Sequence, residues 1–139
     1  MKRDVRLHGL TSDHHHALRL AMEVRDGLAA GAAPVVLLQR ARAAFAAQLA
    51  PHFAVEEEVL LPALDAAGEG GLAERTRREH QEIKADLDAA STGDAGALLS
   101  FANRLTSHVR FEEGELFVAC ERVLPDSVLE EVARRAPKA

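Results

Sequence analysis

Apolar residues recur at steps of three and four along most of the chain, the spacing that lines one face of an α-helix. Ala17, Leu18, Ala21, Val24 and Leu28 form the first row, with Thr11 or Ser12 able to cap it and Gly27 to Gly31 loosening the chain behind it. The pattern predicts a helix near 11–30. Pro34 suits a first-turn position, and Val35, Leu38, Phe45, Leu49, Val59 and Leu60 carry a second row to the Gly68-Glu69-Gly70-Gly71 break, which predicts a helix over about 35–66. Pro51 lies inside it, removes a backbone donor, and is expected to kink it at the Ala47 carbonyl; Pro62 is expected to bend the last turns.

Leu72, Thr76, His80, Ile83, Leu87 and Ala90 define a third row that stops at Ser91-Thr92-Gly93. Asp94 is a good cap for a fourth row of Leu98, Ala102, Leu105, Leu116 and Val123, which Pro125 ends. Asp126 or Ser127 can cap a short amphipathic tail that ends near Arg135, beyond which the last residues are expected to fray. No alternating strand pattern, internal repeat or low-complexity tract stands out. Short connections force sequential helices to be neighbours, so the expected fold is all-α: an antiparallel up-down four-helix bundle with a short C-terminal helix. At 139 residues, one domain spanning 1–139 is expected.

Composition narrows the function classes. Hydrophobic residues at 47% and charged residues at 28% are those of a soluble globular domain. Seventeen Lys and Arg against 22 Asp and Glu give a net charge of -5, which disfavours nucleic acid as a partner. No stretch approaches a membrane span, so no membrane partner is expected, and the residues from Met1 to Gly9 contain no apolar export signal. The single Cys120 reads as a buried small apolar residue; it rules out an internal disulfide and suits a reducing, cytoplasmic setting.

The histidines change the picture. His14 continues the row Ala17, Leu18, Ala21; His52 continues Phe45 and Leu49; His80 falls between Thr76 and Ile83; His108 follows Leu105. Each helix thereby turns one imidazole inward, although His15 competes with His14 for the first helix. Glu56 stands four residues after His52 and Glu112 four after His108, a step of about 400° that keeps each pair on one face. Counting about 1.5 Å per residue from the loops places all six residues at a common depth. Buried singly, such groups are costly; a shared metal satisfies the set. Imidazole with carboxylate suits iron, manganese or zinc, with iron leading, and two carboxylates able to bridge suggest two ions. Ferritin-like sites need a Glu three residues before a His, a spacing absent here. Glu57, Glu58, Glu113 and Glu115 read as solvent-facing or paired with Arg, and Arg75, Arg77 and Arg78 as a solvated face.

Across nearly all of 8–124 the chain resembles the hemerythrin-like family, the histidine-histidine-glutamate cation-binding domain. The resemblance rests on Asp13-His14-His15-His16-Ala17-Leu18, on His52-Phe53-Ala54-Val55-Glu56-Glu57-Glu58-Val59-Leu60-Leu61-Pro62, on Glu79-His80, and on His108-Val109-Arg110-Phe111-Glu112-Glu113. It implies two iron ions in a non-haem, carboxylate-bridged centre, with His52, His80 and His108 as terminal ligands, His14 from the first helix, and Glu56 and Glu112 as bridges. The oxygen carriers have two histidines four residues apart on helix three, whereas His80 has Thr76 before it and Lys84 after it; water or a third carboxylate in the missing place, or one metal weakly held, is the expectation.

The implied function is to bind or sense dioxygen or another small oxidant, or to handle iron. The alternatives are a di-iron enzyme that reduces peroxide or nitric oxide, and a structural bundle that holds zinc or nothing. A separate redox partner protein is compatible with the first two. The sequence names no general acid, nucleophile or substrate pocket beyond the metal layer.

Overall fold

The computed structural model describes residues 2–136, and among them there is no strand. A 3-10 turn, Val5–Leu7, leads into α1, His8–Ala29. The helix begins earlier than the capping signals suggested, because Leu7 and Leu10 are wholly buried and extend the apolar row upstream. Thr11 therefore lies within α1, and its hydroxyl donates to Glu113 Oε2 at 2.9 Å instead of capping.

Helix α2 runs over 34–66 as α-helical segments Pro34–Ala44, Ala50–Val55 and Leu61–Ala66, joined by π turns Phe45–Leu49 and Glu56–Leu60. The inward row starts at Leu37, Leu38 and Ala41, and Val35 is 51% exposed, contrary to its place in the sequence pattern. Each π turn ends just before a proline: Ala50 N–H donates to the Phe45 carbonyl ahead of Pro51, and Leu61 N–H to the Glu56 carbonyl ahead of Pro62. The expected kink at Ala47 is thus a widened turn, which takes up the clash of the proline ring without breaking the helix.

Helix α3, Gly70–Ala89, closes through a 3-10 turn at Ala90–Thr92 and Gly93, whose φ of 83° only glycine adopts without strain. Helix α4 covers 95–123 as Ala95–Phe111, a π turn Glu112–Leu116 and Phe117–Val123. Asp94 caps it as expected, its side chain accepting from the Gly96 and Ala97 amides. Pro125, rather than Asp126 or Ser127, occupies the capping position of α5, Asp126–Arg135. The expected fraying of the last residues concerns 137–139, outside the described residues.

The result is an all-α antiparallel bundle, α1 and α3 both packing along α4, with the short α5 across one end. Its apolar interior is in two parts. One contains Ala21, Val24, Leu38, Ile83, Leu98 and Phe101; the other contains Leu7, Leu60, Leu64, Phe117 and Cys120, with Leu129 and Val132 of α5. The only buried polar side chains among the described residues lie where these two clusters meet. No helix is long and apolar enough to cross a membrane among those residues.

Candidate metal centre

That polar seam is His14 from α1, His52 and Glu56 from α2, Thr76 and His80 from α3, and His108 and Glu112 from α4. None is more than 4% exposed. Both glutamates open a π turn, Glu56–Leu60 and Glu112–Leu116, and π turns of this kind frequently mark functional positions. His14 is the inward residue of the three consecutive histidines, since His15 and His16 are exposed.

The inward-facing atoms form two overlapping groups, His14, His52, Glu56 and Glu112, and Glu56, His80, His108 and Glu112, each with its nearest ligand atoms within 4.8 Å of one another. Both carboxylates belong to both groups. Glu112 Oε1 lies 2.7 Å from His14 Nε2 and 3.6 Å from His52 Nε2, while its Oε2 lies 3.0 Å from His108 Nε2 and 3.7 Å from His80 Nε2. Glu56 Oε2 lies 3.2 Å from His52 Nε2 and its Oε1 3.0 Å from His80 Nε2. Each carboxylate therefore turns one oxygen to each pair of imidazoles.

The outer nitrogens are occupied. Nδ1–H of His14 donates to Glu113 at 2.6 Å, that of His52 to Asp13 at 3.0 Å, that of His80 to Glu57 at 2.6 Å and that of His108 to Glu79 at 2.7 Å. A carboxylate on Nδ1 fixes the ring and aims Nε2 inward, the support that metal-bound histidines commonly have. The His80 ring stacks on Phe53 at 3.8 Å and the His14 ring on Phe117 at 5.3 Å between centroids.

Whether these residues suit a metal is decided by the inner atoms. His52 Nε2, His80 Nε2, His108 Nε2, both oxygens of Glu56 and Glu112 Oε2 are buried without a hydrogen-bond partner: of the short approaches given above, only that of His14 Nε2 to Glu112 Oε1 is aligned as a hydrogen bond. So many convergent orphaned donor atoms are rare in a native interior, where each would cost about 1–3 kcal/mol, and nitrogen with carboxylate oxygen is the donor set of a transition metal. The residues fit a cation.

Protons compete with a cation here. Burial disfavours charge at His80, but Glu112, Glu56 and Glu57 outweigh it and hold the imidazole up to about 11. Against the same burial, Glu112, Glu79 and Glu56 hold His108 up to about 9. His14 is raised chiefly by Glu112 and Glu113, and His52 by Glu56, Asp13 and Glu112. Burial would push Glu112 up, yet His108, His14 and His52 keep it well below the usual carboxylate range. The raised imidazoles contribute stability to the metal-free chain that is complete below the ordinary value of 6.5 and is lost as pH rises through about 9 and about 11. Cation binding requires neutral imidazole and has the opposite pH dependence, tightening as pH rises.

Sequence reasoning missed the four outer carboxylates. Glu57, read as solvent-facing or Arg-paired, is 46% exposed yet holds His80; Glu113 holds His14 and accepts from Thr11. The available signal was the acid adjoining each inward residue, in Asp13-His14, Glu56-Glu57, Glu79-His80 and Glu112-Glu113. Arg75, assigned to a solvated face, lies 3.9 Å over the Phe111 ring and donates to Glu79. Arg77 and Glu58 meet expectation, pairing at the surface with Asp65 and Arg135. At the missing helix-three histidine, the Thr76 hydroxyl donates to its own helix at the Leu72 carbonyl, and among the described residues no third carboxylate joins either group. Cys120 is buried, and burial pushes its thiol up, which leaves it an inert packing residue.

Neither the curated proteins nor the solved structures give a match. The family model of the hemerythrin HHE cation binding domain matches residues 6–120, a span that contains every residue of the polar seam and its outer carboxylates, and the chain belongs to that family.

Proposed function

We propose that the chain is a non-haem di-iron protein that binds or senses dioxygen or a similarly small oxidant. His14 and His52 would hold one ion and His80 and His108 the other, with Glu56 and Glu112 shared between them. The observation that carries this reading is the sharing of both carboxylates by both groups, with one oxygen of each turned to each pair of imidazoles. Iron in such a site supplies an exchangeable electron and open positions for a small ligand.

The surrounding side chains favour a small ligand. The recess beside His80, about 330 Å³, is lined by Phe45, Phe53, Glu57 and Lys84, and the stacked Phe53 and His80 rings separate it from the inner donors. Asp13 and His52 border a second recess of about 210 Å³ on the opposite side of α2, against Arg135. Both stop at the imidazoles. A wall of packed rings favours a molecule of a few atoms, such as dioxygen, over a metabolite.

The test is exposure of the reduced, iron-loaded protein to dioxygen and then to peroxide. The expected result is a near-ultraviolet and visible change that reverses when the gas is removed, with no sustained consumption of either. Continuous turnover of peroxide would assign the enzyme reading instead, and a colourless zinc protein would contradict both.

A further inference from the structure

The two halves of the chain build the polar seam in the same way. Asp13-His14 on α1 corresponds to Glu79-His80 on α3, and His52 with Glu56-Glu57 on α2 corresponds to His108 with Glu112-Glu113 on α4. The correspondence is geometric as well as sequential, apart from two longer approaches, Glu112 to His52 at 3.6 Å and to His80 at 3.7 Å, which Glu56 does not match within 4 Å. The outer bonds His14 to Glu113 and His80 to Glu57 are both 2.6 Å, and His52 to Asp13 and His108 to Glu79 are 3.0 and 2.7 Å. Within a helix, His52 to Glu56 and His108 to Glu112 are 3.2 and 3.0 Å; between halves, His14 to Glu112 and His80 to Glu56 are 2.7 and 3.0 Å. The ring centroids of His14 and His52 are 4.9 Å apart, as are those of His80 and His108. Both glutamates start a π turn at the same step after their histidine.

We infer that the two ion positions are offered equivalent donor sets, each two imidazoles and one oxygen from each carboxylate; the inference rests on the two-ion reading above. The halves are also interlocked, because Glu57 on α2 steadies the imidazole of α3 and Glu113 on α4 steadies that of α1. The helix-three position that sequence comparison marks as missing is, on this account, the reason for the balance. A second imidazole there would give one ion three nitrogens, whereas the Thr76 hydroxyl is spent on the Leu72 carbonyl and adds a donor to neither side. Two positions with matching donors would suit a small molecule with a donor atom at each end.

The test is Mössbauer spectroscopy of the oxidised, iron-loaded protein without added ligand. Two irons in a single quadrupole doublet are expected. Two doublets of equal area would overturn equivalence and leave the two-iron centre standing; fewer than two irons would overturn both. A second comparison uses the outer carboxylates, which act through the imidazoles as positioning residues. Glu57→Gln and Glu113→Gln are expected to weaken iron binding by matching factors, each about 10- to 100-fold. A large loss in one variant and none in the other would contradict the inference.

Discussion

Glu112→Ala is expected to empty both ion positions. The carboxylate is wholly buried and is, among the described residues, the one carboxylate within 4 Å of all four inward imidazoles, so its removal takes an oxygen from each group and strips the Nε2 of His14 and of His108 of its nearest carboxylate. Elemental analysis should fall from two ions per chain to none, and the same analysis on His15→Ala, at an exposed position, should not change. The effect on stability follows by linkage. Each ion at a hundredfold over its dissociation constant stabilises the native state by about 2.7 kcal/mol. For two ions in a domain of this size that sums to roughly 20 °C in Tm. A chelator should therefore lower the melting temperature of the unmodified protein by about that much and leave Glu112→Ala unmoved. Retention of both ions by the variant would show that the carboxylate does not bridge.

Phe53→Ala is expected to cost about 3 kcal/mol and to open the seam to water. The ring is buried, stacks on His80 at 3.8 Å, meets His52 and His108 edge-on at 5.9 and 5.8 Å, and closes the floor of the recess bounded by Phe45 and Lys84. Its loss joins a recess of about 330 Å³ to the inner donors. Thermal melts should shift down by roughly 10 °C, and the iron-loaded variant should oxidise faster and accept bulkier anions than the parent. A normal melting temperature with unchanged access to azide and to larger anions would remove Phe53 from the barrier.

Much of this arrangement could be read from the chain, for identifiable reasons. Helical periodicity is set by local geometry, so the four rows, the Asp94 cap and the stop at Pro125 needed no tertiary information. His52 with Glu56 and His108 with Glu112 were equally visible, because a four-residue step nearly completes a turn. What stayed hidden depends on packing between helices. His14 and His15 differ by one position on α1, and only the burial of Leu10, Ala17 and Leu20 decides which faces inward. Glu57 and Glu113 adjoin the inward residues and look solvent-facing from their own helices; each reaches the imidazole of another helix, a contact that no single row encodes. The π turn over Glu112–Leu116 likewise has no proline to announce it. The start of α1 moved because Leu7 and Leu10 bury against the far cluster, beyond any local capping signal.

The central claim is that six buried side chains share two ions, and titration calorimetry of the metal-free chain with ferrous iron under anaerobic conditions tests it most directly. At neutral pH the account predicts saturation at two ions per chain with release of at least two protons, since His80 and His108 are held up to about 11 and about 9 and must become neutral to bind. Saturation at one ion, or heat without proton release, would contradict it.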